Sequence, residues 1–433
     1  MKRLVFFLSA VVVVAGTATS QGVGYGLEMD FTIEQAVTAA VEKDHRPQIW
    51  ELRIEDSLED YKEALEDSED AIERTYANDE RWSMSSIQNK KEIYLIPLMN
   101  WYGLTDYETS ALVQEDQTKA DAADAWMNLY VAQKSHEQAS REFELAKLEL
   151  EALQVREKAG AVITSQVNAQ ALAVLQQELT VQQSVQNVEL AAKKLAYWTG
   201  LEVDADSEMG MPKMTRSIYA IPQVENYVND NLLVTDAVWK SLYSYETTVL
   251  NIQAIEDGFR GPNFEKNQPD SYQTFVIDQM EGAFALEEAL VNGEQALLAE
   301  LNDLENKSLM AINQKTNREN REKEWAAAEI RYQAGAISSL EYETARLNLD
   351  KAELAEVEAV YAWNKAVASN KRQQSIYAKR MESMDETWMS EMKTQVATWA
   401  YDPDAVHADT DEAYIDWILT KNGISPSILD EVE

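Results

Sequence analysis

With 433 residues, the chain is long enough for one large core or for two or three ordinary domains. It holds 76 acidic against 38 basic residues and no cysteine, for a formal net charge of -38. Disulfide stapling, thiol chemistry and lipoprotein anchoring are thereby excluded. So acidic a surface repels nucleic acid and favours cations or basic partners. Solvated carboxylates on helix faces, as in adaptation to salty surroundings, account for the same charge without any partner.

The chain opens with Met1-Lys-Arg, the apolar run Leu4–Ala15 and the small residues Ala18-Thr-Ser20. These are the three regions of a secretory signal peptide, so the mature protein is expected to start near Gln21 and to be exported. Removing Lys2 and Arg3 with the signal takes the net charge from -38 to -40. No later stretch approaches the roughly 20 apolar residues that a membrane helix needs. Thr32 and Gln35 form a capping-box pattern, and Ile33, Ala36, Val37 and Ala40 share one helical face. A second helix is expected over about Gln48–Ile72, with eleven acids between Glu51 and Glu73 and a narrow stripe of Leu52, Leu58, Tyr61, Leu65 and Ile72. That pattern suits a helix packed on one side and wet on the other. The periodicity fails from Tyr76 to Gly103, where Ile93–Tyr102 is apolar and aromatic and Pro97 allows at most an edge strand or an extended packing segment. A heptad seam follows in Ala139, Phe143, Ala146, Leu150 and Leu153, answered by Val181, Val185, Val188, Ala192 and Leu195, with Gly200 as a C-terminal cap.

Residues 201–222 form a polar linker, and a shorter helical segment spans about Gln223–Asp257. Tyr272–Ile277, β-branched and aromatic, is the only good strand candidate of the second half. A second long hairpin is expected from near Ala283, with Leu340, Leu347, Leu354, Val357 and Tyr361 on its return. Met381–Glu433 is an acidic, tryptophan-bearing tail with short helices expected around Trp388 and Trp417. The division is 1–20 signal peptide, 21–200 first repeat, 201–222 linker, 223–380 second repeat and 381–433 tail.

Two turns punctuate this order. Gly160 is the only glycine between Thr105 and Thr199, and Gly335 the only one between Glu294 and Asn422, and no proline falls between Pro97 and Pro212 or between Pro269 and Pro403. Each lone glycine marks one reversal of a long helix. Arg156-Glu-Lys-Ala-Gly-Ala-Val162 aligns without gaps on Arg331-Tyr-Gln-Ala-Gly-Ala-Ile337, 175 residues later, with Thr164 on Ser339. A repeat of this length means a fold built twice. The expected class is mainly α, two long helical hairpins of a coiled coil, with little or no β. An outgoing arm of roughly 55 residues would reach about 80 Å.

The doubled Arg-x-x-Ala-Gly turn, within the order short helix, irregular segment, long helix, turn, and returning helix to Tyr197-Trp-Thr-Gly200, resembles the TolC-like outer-membrane efflux protein family over about residues 31–380. The resemblance implies a homotrimeric α-barrel acting as a passive export duct. Its tips would meet a periplasmic adaptor (membrane fusion) protein coupled to an inner-membrane transporter, and its other end a β-barrel in the outer membrane. It places Arg156, Ala159, Gly160, Ala161, Arg331, Ala334, Gly335 and Ala336 at adaptor-facing tips, and makes Tyr332 and Glu341 gate candidates. The intervals where the family has membrane strands each offer one strand at best, against two of roughly 9–11 residues, so outer-membrane insertion is doubtful and the barrel is expected to be reduced or absent. A coiled-coil scaffold of the cell envelope that keeps the fold without a pore is the alternative.

No enzymatic or metal chemistry is legible. His45, His136 and His407 are scattered, with no pair at ligand spacing. Asp402–Glu412 lacks the central glycine and spaced final glutamate of a calcium loop. There is no Gly-rich phosphate loop or nucleophile elbow, and no cofactor is expected.

Overall fold

The computed structural model describes residues 31–77, 84–212, 214–259 and 271–383. The signal region and the tail helices expected around Trp388 and Trp417 lie outside them. The elements are α1 Ile33–Lys43, α2 Arg46–Ala77, α3 Met84–Lys90, a π-helical turn Lys91–Leu95, α4 Ile96–Lys158, α5 Thr164–Thr199, α6 Val224–Asn231, a 3-10 turn Leu232–Val234, α7 Asp236–Phe259, α8 Ser271–Gln333 and α9 Ser339–Glu382. The 175-residue offset of the turn motifs carries Ile96 onto Ser271 and Lys158 onto Gln333, so both outgoing helices have 63 residues. At 1.5 Å per residue each is about 95 Å long.

The long helices pack side by side in the order α5, α4, α9, α8, and α5 has no substantial contact with α8 among the described residues. The two halves meet along α4 and α9, antiparallel, through a seam of charged and polar pairs. Glu108 pairs with Lys379 at 3.1 Å, Asp124 accepts from Tyr361 Oη at 2.7 Å and pairs with Lys365, and Arg141 and Glu142 pair with Asp350 and Lys351. Shorter helices add a second layer away from the turns: α1 and α2 cover α4, and α6 and α7 cover α8.

Three apolar clusters hold the layers. One, centred on the first half, joins Ala36, Trp126, Leu129, Val188, Ala192 and Leu195 and takes in Leu354 of α9. Its counterpart joins Tyr227, Leu297, Leu304, Val360, Trp363 and Val367. The buried indoles of Trp126 and Trp363 each donate to a segment flanking the helices, at 2.9 Å to the Phe31 and Ser217 carbonyls. A third cluster, at the end remote from the turns, unites both halves through Leu98, Tyr102, Trp239, Leu242, Ile255 and Leu286.

Both strand expectations are overturned. Ile93–Tyr102 runs from the π-helical turn into α4, and Tyr272–Ile277 is the start of α8, so the long helices begin at Ile96 rather than near Asp106, and at Ser271 rather than near Ala283. Pro97 sits in the first turn of α4, which continues the π-helical turn, and the Ile93 carbonyl four residues before it accepts instead from Ser68 Oγ of α2 at 2.8 Å. The segment is apolar all round because α2 and α7 both pack against it, and burial of that kind erases the helical period. Among the described residues the only β feature is one isolated bridge, Phe31 with Met209. The intervals 78–83 and 260–270 between helices are each shorter than two membrane strands of roughly 9–11 residues. No described helix is long and apolar enough to cross a membrane. The seam of α5 also differs by one position: Ser184, Val188, Ala192 and Leu195 are buried, whereas Val185 faces outward.

Candidate functional site

The two turns end their helices in the same way. Gly160 N–H donates to Glu157 O and Ala161 N–H to Arg156 O, both at 2.8 Å. Gly335 N–H donates to Tyr332 O at 2.9 Å and Ala336 N–H to Arg331 O at 2.8 Å. This is the Schellman pattern, in which the left-handed residue lets the chain satisfy two of the last carbonyls. Gly160 and Gly335 have φ of 74° and 70°. Arg156 and Arg331 thus hold the same position, three residues before the cap, where their charge also complements the helix dipole.

The starts of the returning helices differ. Ile163 caps α5 without a side-chain bond. Ser338 caps α9 with a full capping box: Glu341 N–H donates to Ser338 Oγ at 3.2 Å, and Glu341 Oε2 accepts from Ser338 N at 2.8 Å. The bonds from Ser338, helped by the charge of Arg331, hold the Glu341 carboxyl below the usual range. Tyr332 stacks on Tyr342, centroids 4.8 Å apart at 13°. Both gate candidates therefore lie at the second turn, where Glu341 caps a helix start and Tyr332 braces the two arms.

Arg156, Ala159, Gly160, Ala161, Arg331, Ala334, Gly335 and Ala336 are all exposed. The Glu142–Lys351 pair joins the hairpins 16 residues before the end of α4, within about 25 Å of the turn, so both turns lie at one end of the layer. Sequence reasoning missed two further members. Val155 and Ile330, equivalent under the repeat, stand one residue before each arginine and are 65% and 69% exposed. Each turn thus offers an apolar side chain, a guanidinium and a small Ala-Gly-Ala surface over which another backbone can pass closely. The one described histidine on this hairpin, His136, lies with Nδ1 2.8 Å from Ser184 Oγ, a bond between α4 and α5.

The chain is similar to solved outer-membrane channel proteins. The likeness to the Campylobacter jejuni CmeC outer membrane channel covers 82% of this chain and 90% of that one, at 11% identity and a TM-score of 0.46. Outer membrane protein VceC from Vibrio cholerae matches over 78% of this chain and 95% of its own, at 12% identity and a TM-score of 0.48. The open state of the Neisseria gonorrhoeae MtrE outer membrane channel matches over 80% and 88%, at 11% identity and a TM-score of 0.42. No family model matches the chain, and no curated protein matches it.

A Cβ on Gly160 or Gly335 would meet nothing within 4 Å, so the glycines are required for backbone conformation alone. Gly160→Ala and Gly335→Ala are each expected to lower stability by about 1–2 kcal/mol, the left-handed penalty of an L residue. Urea unfolding should give the same shift for both. Unequal shifts would mean that the turns are not equivalent.

Proposed function

We propose that the chain is one protomer of a homotrimeric, TolC-like export duct of the cell envelope, passive in itself, whose paired tips dock a periplasmic adaptor protein linked to an inner-membrane transporter. The observation that carries this reading is the pair of apolar edges on the four-helix layer. On α5, Leu172, Leu175, Leu179, Leu190 and Tyr197 are exposed and fall within an arc of about 60°. That arc lies opposite the buried Val188, Ala192 and Leu195. On α8, Leu309 and Ile312 are exposed at the level of Leu190. A helix apolar on two opposite sides suits a layer with a neighbour on each side, and joining α5 of one copy to α8 of the next closes a ring. The exposed, level turns at the ends of two 95 Å arms (about 1.5 Å per residue) supply the docking tips.

Leu175→Glu with Leu179→Glu is expected to convert a trimer into monomers, read by light-scattering mass, while far-UV circular dichroism stays helical. A wild-type chain that is monomeric at all concentrations would end the duct reading. Arg156→Glu with Arg331→Glu should leave the trimer intact and abolish binding to an adaptor hairpin. The scaffold reading is favoured by the absence of strands from the described residues. Trimers that conduct no ions in planar bilayers would support it, and conductance would exclude it.

A further inference from the structure

Near its start α8 carries an exposed apolar stripe. Ile277, Met280, Phe284 and Val291 are each more than half exposed. Leu309, on the edge proposed to meet α5 of the next copy, stands in line with Val291 about five turns further on. The 175-residue repeat carries Tyr102, Thr105 and Thr109 of α4 onto Ile277, Met280 and Phe284, yet those three are all buried. That side of α4 faces the second half of the chain. Tyr102 packs on Trp239 and Tyr243 of α7, with centroids 5.0 and 4.8 Å away, and Glu108 pairs with Lys379 of α9.

The other side of each outgoing helix is covered by its own half. On α4 lies α2, where Ser68 Oγ donates to Ile93 O at 2.8 Å and Asn100 Nδ2 donates to Asp60 O at 3.1 Å. On α8 lies α7, so close that a Cβ on Gly282 would be 3.4 Å from the Tyr245 ring and one on Gly293 3.0 Å from Val238 Cγ2. In the repeat, therefore, α2 and α7 are counterparts. Helix α7 also reaches α4 of the other half, whereas α2 has no substantial contact beyond its own half among the described residues. The missing counterpart is α2 on the bare side of α8. Its side chains suit that place. Ser57, Ala64, Ser68 and Ala71 are its buried seam, and Ile54, Leu58 and Leu65 form a partly exposed apolar flank about 60–100° round from Ser57. That flank is rotated in the same sense as Trp239 and Tyr243 are from the Val238–Tyr245 seam of α7.

Resting on the ring proposed above, we infer that the Ile54–Leu58–Leu65 flank of α2 in one copy covers the Ile277–Val291 stripe of α8 in the next. The two helices run antiparallel, and aligning Leu58 with Phe284 brings Leu65 level with Ile277 and Lys62 level with Glu281 and Met280. The bordering acids Glu51, Glu69 and Glu288 oppose the contact only weakly, since salt screens exposed charges within about 10 Å. Ile277 cannot make the bond that Tyr102 donates to Glu246, so the contact between copies lacks that polar tie of the contact between halves.

The chain has no cysteine, so introduced pairs supply the only thiols. Leu58→Cys is combined in turn with Met280→Cys, Phe284→Cys and Val291→Cys, which bracket the register. At least one pair is expected to form an interchain disulfide at least tenfold faster than Leu58→Cys with Leu309→Cys, a comparably exposed site about 27 Å beyond Val291. If none of the three does, or if the disulfide closes within one chain, the inference is overturned. Leu190→Cys with Leu309→Cys reports separately on the α5–α8 edge. Cross-linking there alone would leave the duct reading standing without the α2 contact, whereas a monomeric chain with no interchain disulfide in any pair would end both.

Discussion

Trp239→Ala is expected to lower stability by about 3–5 kcal/mol, the usual range for emptying a buried aromatic site. The indole is fully buried and packs on Tyr102 and Trp101, with centroids 5.0 and 6.0 Å away. Its Nε1 donates to Asp106 Oδ1 at 3.2 Å, and the Arg380 guanidinium lies 5.3 Å from its ring. Burial already pushes the Asp106 carboxyl up, opposed by the charge of Arg380 and the indole bond, so losing that bond leaves a carboxylate less able to ionise. Because this cluster joins α4 of the first half to α7 and α8 of the second, the damage should be regional. Urea unfolding followed by circular dichroism should show an early transition for this end before the rest unfolds. Trp239→Phe keeps most of the volume and should shift the curve far less. A single, barely displaced transition in Trp239→Ala would show that the cluster does not join the halves.

That cluster is also where the sequence was hardest to read. The left-handed glycines at 160, 200 and 335 and the Thr32–Gln35 capping box were legible because each is a local rule satisfied within about five residues. The equivalence of the two turns followed from the ungapped repeat, but the starts of the long helices, expected near Asp106 and Ala283, did not. Tyr94–Tyr102 and Tyr272–Ile277 resembled strands because their residue types favour extended backbone. Those same residue types also fill a helix interface, and which use prevails depends on partners far along the chain. Tyr102, for instance, donates to Glu246 at 2.6 Å. No periodicity in either segment encodes that pairing.

The candidate site divides in the same way. Its glycines and arginines were found through the repeat, whereas Val155 and Ile330 were overlooked because single apolar residues carry no motif. The capping pattern Ser338-x-x-Glu341 was present in the sequence, and it gives Glu341 a structural task at the start of α9. The lateral order α5, α4, α9, α8 could not be read, since the seam between the halves is built from charge pairs such as Asp124–Lys365 that look like ordinary surface residues.

Asn370, on α9, is the least conspicuous of the residues on which the second half depends. It is 1% exposed, and its Nδ2 donates to Glu300 Oε1 at 2.8 Å and to Tyr227 Oη at 3.0 Å. Its Oδ1 accepts from Tyr219 Oη and, at 3.1 Å, from Gln374. One amide thus links the 201–222 segment, α6, α8 and α9. Asn370→Ala strands several partly buried polar groups at about 1–3 kcal/mol each, so a total loss of roughly 3 kcal/mol or more is expected. The pH dependence should change with it. Burial pushes the Glu300 carboxyl up, and the bonds from Asn370 and Tyr227 hold it back. A carboxyl raised in the folded state binds its proton more tightly than in the unfolded chain. The contribution of Glu300 to stability is therefore fully present below the unfolded value of about 4.3 and is lost as pH rises through the folded value. Removing the Asn370 donor lets burial raise Glu300 further, so the decline should extend to higher pH and deepen. Glu300→Gln, which cannot ionise, should abolish that decline in either background. If Asn370→Ala unfolded with the wild-type pH profile, the amide would not be what keeps Glu300 ionisable.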